Sequence, residues 1–434
     1  MKIDLQTLLE RAQGFIAANY AAALSDRSKR VDLLGYIEQY IREKGYEVEG
    51  YSQEALARRL FSEMAEYSIL TPLLERQDIE EININSWDDV ALTLTDGKIV
   101  KLDKHFLSPK HAVDICKRLL QHSGMVIDNA MPVAQGHLPG NTRITVVKEP
   151  IVDPERGISA SIRLLHPSLF TCRQLISGGT ATEEMVEFLC SCLRYGVSLV
   201  IAGATRSGKT TLMNALLQSI PDAKRIFTIE SGSRELSLVR EDSSGRIRNN
   251  VVHTLSRPSD NPAHDISQED LVVYSLRFSP DVVVVGEMRD TEAFAAVEAA
   301  MTGHTVVSTV HAGAAESAHW RLAELCQKRF PMAFDISLLQ AARAFPIVCY
   351  EHKLDDNSRR IVDISECVIT PSAGREYHTL YRYVITKSEL IDGQYVVDGH
   401  FEAVEKMSQS LRQRFLQSGM PTALLQRFLG GETK

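Results

Sequence analysis

No apolar run in this 434-residue chain approaches the roughly 20 residues that a membrane-spanning helix needs. The N-terminus, Met1-Lys2-Ile3-Asp4-Leu5, is soon polar and lacks the long apolar core of a secretory signal. Positive charge is not in excess: the net charge is −8, which argues against a dedicated nucleic-acid binder. Cysteine is sparse and poorly spaced for a metal or disulfide framework. The seven thiols are scattered, and the one close pair, Cys190 and Cys192, stands in an apolar helical pattern rather than at zinc-ligand spacing. Buried, reduced thiols are the expectation. No internal repeat or low-complexity tract interrupts the chain. What remains, 44% hydrophobic and 24% charged residues, is the composition of an ordinary soluble globular protein. Its length suits roughly two or three domains, and a cytoplasmic address is expected.

Against that background one string stands out, Gly203-Ala204-Thr205-Arg206-Ser207-Gly208-Lys209-Thr210. It fits the phosphate-loop pattern G-x-x-x-x-G-K-[ST] without a mismatch. The apolar run Ser198-Leu199-Val200-Ile201-Ala202 precedes it, and a helical Thr211-Leu212-Met213-Asn214-Ala215-Leu216-Leu217 follows. The chemistry needs that order. A strand delivers the chain into a Gly-rich turn whose backbone N–H groups wrap phosphates at a helix N-terminus. Lys209 then reaches the β- and γ-phosphates, and Thr210 holds Mg²⁺ through its hydroxyl. The expected nucleotide-binding residues are those eight and Thr211, with ATP or GTP as ligand.

The first stretch reads as helices. Leu5, Leu8, Leu9, Ala12 and Phe15-Ile16 recur at helical spacing, as do patterns over about 30–44 and 52–68, giving a helical segment at 1–60. From Ile79 the texture changes. Ile79-Glu80-Glu81-Ile82-Asn83-Ile84-Asn85 and Val90-Ala91-Leu92-Thr93-Leu94 alternate like strands, and Asp96-Gly97 marks a hairpin turn before Ile99-Val100. A helix at about 109–123 and strands at 142–147 and 158–164 complete an α+β domain over 61–165. Residues 166–180, with Pro167 and Gly178-Gly179, read as an interdomain linker. Thr180-Ala181-Thr182-Glu183 then gives a capping-box signature ahead of a helix at 185–193. Beyond it, helical stretches alternate with β-branched runs at 198–202, 225–230, 282–287 and 305–311. Unbroken runs of this kind predict a mainly parallel sheet buried on both faces, an α/β domain over 181–370. The polar stretch 243–265 reads as a long excursion from that sheet. A C-terminal extension, 371–434, holds short strands and then helices near 401–417 and 421–429.

In an open parallel sheet, ligands collect at the carboxyl ends of the strands. The four apolar runs end in the phosphate loop, in Glu230, in Gly286-Glu287 and in His311. If the strands are neighbours, Lys209, Thr210, Glu230, Glu287 and His311 converge on one crevice. Asp281 and Glu287 flank the third run and stand about 20 Å apart along a strand, so only one can reach the phosphates. The carboxyl-end argument selects Glu287, beside a Gly286 that permits close backbone approach, and leaves Asp281 to start the strand. Glu230 positions water or Mg²⁺. His311 senses the γ-phosphate, whereas His304 at a strand entrance is structural.

Together these residues resemble the secretion-superfamily ATPases, the hexameric motors of type II secretion, type IV pili and type IV secretion. Thr228-Ile229-Glu230 with Arg234-Glu235-Leu236 resembles the family's acidic box. Phe278-Ser279-Pro280-Asp281 through Gly286-Glu287-Met288-Arg289-Asp290 resembles its atypical Walker B segment, and Met301-Thr302-Gly303-His304-Thr305 through Ser308-Thr309-Val310-His311-Ala312 its histidine box. In the N-terminal half, Leu70-Thr71-Pro72-Leu73-Leu74, His137-Leu138-Pro139-Gly140-Asn141-Thr142-Arg143 and Ser161-Ile162-Arg163 resemble the Tad/Flp pilus assembly (CpaF-like) branch. There are departures. Ser231 rather than a second acid follows Glu230, Arg206 replaces a small loop residue, and His137 stands where an arginine is expected. The tetracysteine zinc insertion of the type II secretion and pilus-extension branches is absent.

The resemblance implies a RecA-like ATPase domain behind a smaller sensory domain, assembled as a homohexamer that hydrolyses ATP with Mg²⁺. Thr210 and Glu287 would hold the metal. Lys209, Glu230, Glu287 and His311 would carry the chemistry, with Arg143 and Arg163 approaching the phosphates from the N-terminal domain. The work done would be pilus assembly or protein secretion at the inner face of the cell membrane, through an integral-membrane platform protein. Two other readings share the core: a nucleic-acid-translocating ATPase, disfavoured by the acidic balance and the lack of a basic, aromatic-rich groove, and a nucleotide-gated assembly regulator with little turnover.

Overall fold

A computed structural model of the chain describes residues 1–20, 30–95, 97–121, 125–138, 142–164, 170–257, 262–370, 374–391 and 393–429. Asp96 of the expected hairpin turn, 139–141 of the N-terminal motif, 166–169 of the expected linker and 258–261 of the polar excursion lie outside them. The chain divides into two compact units, Met1–His166 and Pro167–Lys434.

The first unit opens with helices Leu5–Asn19, Arg30–Lys44 and Gln53–Ala65. The Asp4 carboxylate accepts from the Thr7 N–H and the Ser52 hydroxyl from the Ala55 N–H, so two of the three start on a side-chain cap. Their apolar stripes meet in a core of Leu8, Ile16, Leu33, Ile37, Leu56 and Leu60. The helix Gln53–Ala65 runs across the boundary expected at residue 60. Its buried Glu63 binds His111 of the helix Pro109–Gln121 at 2.8 Å, and also Arg59 and Ser68. Burial alone would raise this carboxyl; the hydrogen bond from His111 and the charge of Arg59 hold it below its ordinary value. Helices and sheet are therefore tied within one unit.

That sheet has six antiparallel strands: β1 Ile79–Ser86, β2 Asp89–Leu94, β3 Ile99–Lys101, β4 Val133–Leu138, β5 Thr142–Lys148 and β6 Ile158–Leu164. Their order is β3-β2-β1-β6-β5-β4. The period-2 pattern works as expected: on β5 and β6 alternate residues are buried, and Ile144, Val146 and Ile162 pack with Ile115 and Leu119 of the helix. The hairpin between β2 and β3 closes where Asp96-Gly97 predicted it, with the Gly97 N–H donating to Leu94.

The second unit is a nine-stranded sheet, β15-β14-β13-β12-β7-β11-β10-β8-β9. Its strands are β7 Leu199–Ala202, β8 Arg225–Glu230, β9 Asn250–Leu255, β10 Val282–Val285, β11 Thr305–Val310, β12 Ile347–Lys353, β13 Arg359–Ile369, β14 Arg375–Ile391 and β15 Gln394–Ala403. From β12 to β9 all neighbours are parallel, and from β12 to β15 all are antiparallel. The apolar runs are buried on both sides. Leu199, Ile201, Val282 and Val284 enter one core with helices Glu183–Arg194 and Lys209–Leu217; Val200, Ala202, Val283 and Val285 enter the other with helices Glu292–Met301 and Ala315–Arg329. The expected α/β class with a preceding α+β module is what the chain forms.

Four details differ from the expectation. Within 166–180, Cys172–Ser177 is a helix with its own capping box and a buried Leu175. The next helix is capped by Thr182 rather than by Thr180. Within the polar excursion, Asn250–Leu255 is an edge strand parallel to β8, held by Thr228 Oγ1 to His253 Nδ1 at 2.8 Å. An edge strand faces solvent on one side, so it needs no continuous apolar run. The tail is built of two long strands rather than short ones, and its first helix begins at Gln409 because 401–403 belong to β15.

The tail is also part of the core. Phe415 is fully buried and packs against Phe188, with ring centroids 6.3 Å apart. Phe415→Ala is expected to lower stability by about 3–5 kcal/mol. Denaturant unfolding of the full chain measures it, and a loss under about 1 kcal/mol would mean that the tail is dispensable to the fold.

Candidate nucleotide site

The carboxyl ends of β7, β11, β10 and β8 lie side by side. Ala202 pairs with Val310, Val285 with Ser308, and Val285 with Ile229. The residues that follow therefore emerge together on one edge: the loop from Gly203, His311, Gly286-Glu287 and Glu230. The neighbour relation supposed from the sequence is the one the sheet adopts.

The loop turns sharply, with Arg206 and Gly208 both at positive φ, 64° and 114°. Ala204, Thr205, Arg206 and Thr211 are exposed, whereas Ser207 and Lys209 are buried. The helix Lys209–Leu217 starts at Gly208 without a side-chain cap, so its first N–H groups have no capping oxygen from the N-cap residue. Lys209 Nζ donates to the carbonyls of Gly203 and Ala204 at 3.1 and 2.7 Å and stands 3.5 Å from His311 Nδ1. Burial lowers the Lys209 pKa against the pull of Glu287 and Glu351. His311 Nε2 lies 2.8 Å from Glu287 Oε1, and Arg289 bonds the other Glu287 oxygen. Lys209, His311, Glu287 and Arg289 thus form one connected chain of charge and hydrogen bonds across three strand ends.

Glu230 occupies a different setting. Its Oε1 accepts from the Glu235 and Leu236 N–H groups at 2.6 and 3.0 Å, while Oε2 is buried without a partner. Glu235 therefore contributes a backbone donor to the acidic box. Burial pushes the Glu230 carboxyl up to about 7, against those two hydrogen bonds. Gly286 lets the chains approach closely here, since a Cβ would stand 3.3 Å from Glu230 Cγ. Asp281 sits at the opposite end of β10, where its carboxylate accepts from the Arg225 N–H at 2.7 Å, a structural role. His304 lies at the entrance of β11, away from this edge.

Arg143 and Arg163 belong to the N-terminal unit. They are direct cross-strand partners on β5 and β6, and Glu80 stands 3.8 Å from Arg163. Two like charges placed opposite each other destabilise a sheet, and the Glu80 carboxylate offsets part of that cost at Arg163.

The site's residues fit a nucleotide with its cation. Ser207 Oγ is buried without a partner, and the loop leaves no room for a Cβ at Gly203 or Gly208. Among the described residues no three His, Cys, Asp or Glu side chains converge to hold a metal by themselves. A hard cation at the Thr210 hydroxyl and Glu287 carboxylate would thus complete its shell with phosphate oxygens and water, as Mg²⁺ usually does.

A family model described as type II/IV secretion system protein matches residues 64–427. The chain belongs to that family. It is 27% identical over 321 residues to the type IV secretion system protein PtlH of Bordetella pertussis, covering 68% of this chain and 92% of that protein. It is 34% identical over 200 residues to an uncharacterized protein of Methanocaldococcus jannaschii, covering 46% of this chain and about a third (34%) of that longer relative. Among solved structures, the VirB11 ATPase of the Brucella suis type IV secretion system in complex with sulphate is 23% identical, covering 68% of this chain and 94% of that one at a TM-score of 0.36. At the family level the motifs and the match agree.

One residue of this secretion-family chain escaped the sequence reading. Glu351 is buried beneath the loop, and burial pushes its carboxyl up to about 8. It was legible in principle: Ile347-Val348-Cys349-Tyr350 is a fifth apolar run that ends in an acid. With Glu230 and Glu351 both raised from 4.5 on folding, their favourable contribution is complete below that value and is lost as pH rises through about 7 and 8. The thermal midpoint should accordingly fall between about pH 5 and 8, and the double variant Glu230→Gln/Glu351→Gln should flatten that fall. An unchanged slope in the double variant would place the titrating groups elsewhere.

Proposed function

We propose that the chain is a homohexameric motor ATPase, of the Tad/Flp pilus branch of its family, that hydrolyses ATP to drive pilus assembly or protein secretion. Its motor domain would be 181–370, behind an N-terminal domain at 61–165. The observation that carries this reading is the convergence of Lys209, Glu230, Glu287 and His311 at the ends of four adjacent parallel strands, with His311 and Glu287 in contact at 2.8 Å. Among the described residues no helix is long and apolar enough to cross a membrane. Work at the cytoplasmic face would then pass through an integral-membrane platform protein.

The residues divide the task. The loop from Gly203 to Thr211 cradles the phosphates with backbone N–H groups, and Lys209 exchanges its loop carbonyls for the β- and γ-phosphate oxygens. Mg²⁺ at Thr210 and Glu287 would neutralise charge that develops on the transferring phosphoryl group. Glu230, held by two backbone donors and with its pKa raised to about 7, would orient the attacking water and take its proton. His311 links Glu287 to Lys209 and so registers whether a γ-phosphate has drawn Lys209 away. Arg143 and Arg163, cross-strand partners of which Arg163 is paired with Glu80, would supply further positive charge during turnover.

Light scattering with ATP, paired with Mg²⁺-dependent phosphate release, tests this reading. A six-fold mass and measurable turnover are expected for the wild type. Lys209→Ala and Glu287→Gln are each expected to lower turnover by about 100-fold or more. A monomer that binds ATP without hydrolysing it would overturn the motor reading. Because Glu230 acts in its ionised form, kcat is expected to rise with pH through about 7. A kcat that is flat from about pH 6 to 8 would remove Glu230 from that role.

A further inference from the structure

Glu351 has no part in the chemistry above, yet it is built into the loop. It stands on β12 beside β7, one residue beyond the pairing of Tyr350 with Ala202, and is 1% exposed. Both loop glycines face it. A Cβ at Gly208 would lie 2.6 Å from Glu351 Oε1, and a Cβ at Gly203 would collide with the Glu351 carbonyl oxygen. Loop and strand are fitted together with no space for a methyl group on either side. Glu351 Oε2, meanwhile, is buried without a hydrogen-bond partner. A carboxyl retained only for structure would be expected to satisfy both oxygens.

The charged groups that face Glu351 are Lys209 at the start of the loop's helix and Arg359 on β13; on its own strand Cys349 is a buried thiol whose pKa is raised. Lys209 in turn feels Glu287, Glu351 and Arg289. Burial outweighs the two cations and raises the Glu351 carboxyl to about 8, so that it carries its proton at neutral pH. In that form it makes no charge–charge claim on the Lys209 ammonium, which rests on the neutral carbonyls of Gly203 and Ala204. As a carboxylate it would draw on that ammonium and repel a phosphate brought to the loop from the other side.

We propose that Glu351 is a positioning residue of the phosphate loop, supporting Gly208 from below and setting, through its own proton, how much of the Lys209 charge is free for phosphate. Glu351 has this role only if the loop is the nucleotide site. The consequence is a built-in dependence of nucleotide affinity on alkaline pH, separate from the acid limb that Glu230 gives to kcat.

The experiment is calorimetric titration of the full chain with ATP and Mg²⁺ between pH 6.5 and 9, for wild type and Glu351→Gln. Wild-type affinity is expected to fall about tenfold by one pH unit above the Glu351 pKa of about 8. Glu351→Gln keeps the shape and cannot ionise, so its affinity is expected to stay within about two-fold over the same range. Parallel pH profiles in the two proteins would overturn the role of Glu351 and leave the nucleotide site standing. Failure of the wild type to bind ATP at any pH would overturn both. Should Glu351→Gln not fold, the wild type alone decides. Binding at pH 8 should take up about half a proton, measured in buffers of different ionisation enthalpy, and zero uptake or release would overturn the inference.

Discussion

Burial of the parallel strands on both faces is the constraint on which this molecule depends. Val282–Val285 is fully covered by two separate cores, and so is the strand that feeds the phosphate loop. A charged side chain inside such a strand would lose its hydration, and only small hydroxyls with a local partner, such as Thr228 and Thr309, are kept there. Chemistry is therefore expelled to the strand ends, where backbone hydrogen bonding stops and side chains can turn toward solvent. Four strands that finish in register at one edge bring a lysine, a histidine and two glutamates together without any of them being close in sequence.

The electrostatics of that edge follow from the same burial. Lys209, Glu230 and Glu351 are all held where their charged forms are disfavoured, and each is shifted in the direction that desolvation dictates. Their surroundings differ in how far they compensate. Glu230 receives two backbone N–H groups, Lys209 two carbonyls, and Glu351 only the distant pull of Lys209 and Arg359. The half-exposed His311, paired with the more buried Glu287, completes the edge. Compensation thus grows from Glu351 under the loop to the hydrogen-bonded Glu230 and the paired Glu287.

The N-terminal unit is organised by a different rule. Its antiparallel sheet buries one face against a helix and leaves the other polar, so β5 and β6 can display Arg143 and Arg163 side by side. Such a pair is affordable on an open sheet face and would not be inside the parallel core. The tail of the chain departs from both patterns. Strands β13, β14 and β15 extend the parallel sheet by antiparallel meander, and Phe415 returns to close one face of its core.

The sequence by itself determined the loop, the strand runs and the residues that end them, because a buried parallel strand must be written as an unbroken apolar string. It also marked strands β1, β2, β3, β5 and β6 of the first unit, and on β5 and β6 the buried positions follow a period of two, whereas β4 was not singled out. Edge strands escaped it: Asn250–Leu255 and the long hairpin of β14 and β15 face solvent, and nothing forces an apolar code on them. The burial of Phe415 escaped it too, since a short amphipathic helix does not say which surface it covers. Only the tertiary structure decided that Glu351 lies beneath Gly203 and Gly208, almost 150 residues away in sequence. Pairing of β12 with β7 is a long-range choice made by the whole sheet. A carboxyl group's proton affinity is set by what such choices place around it.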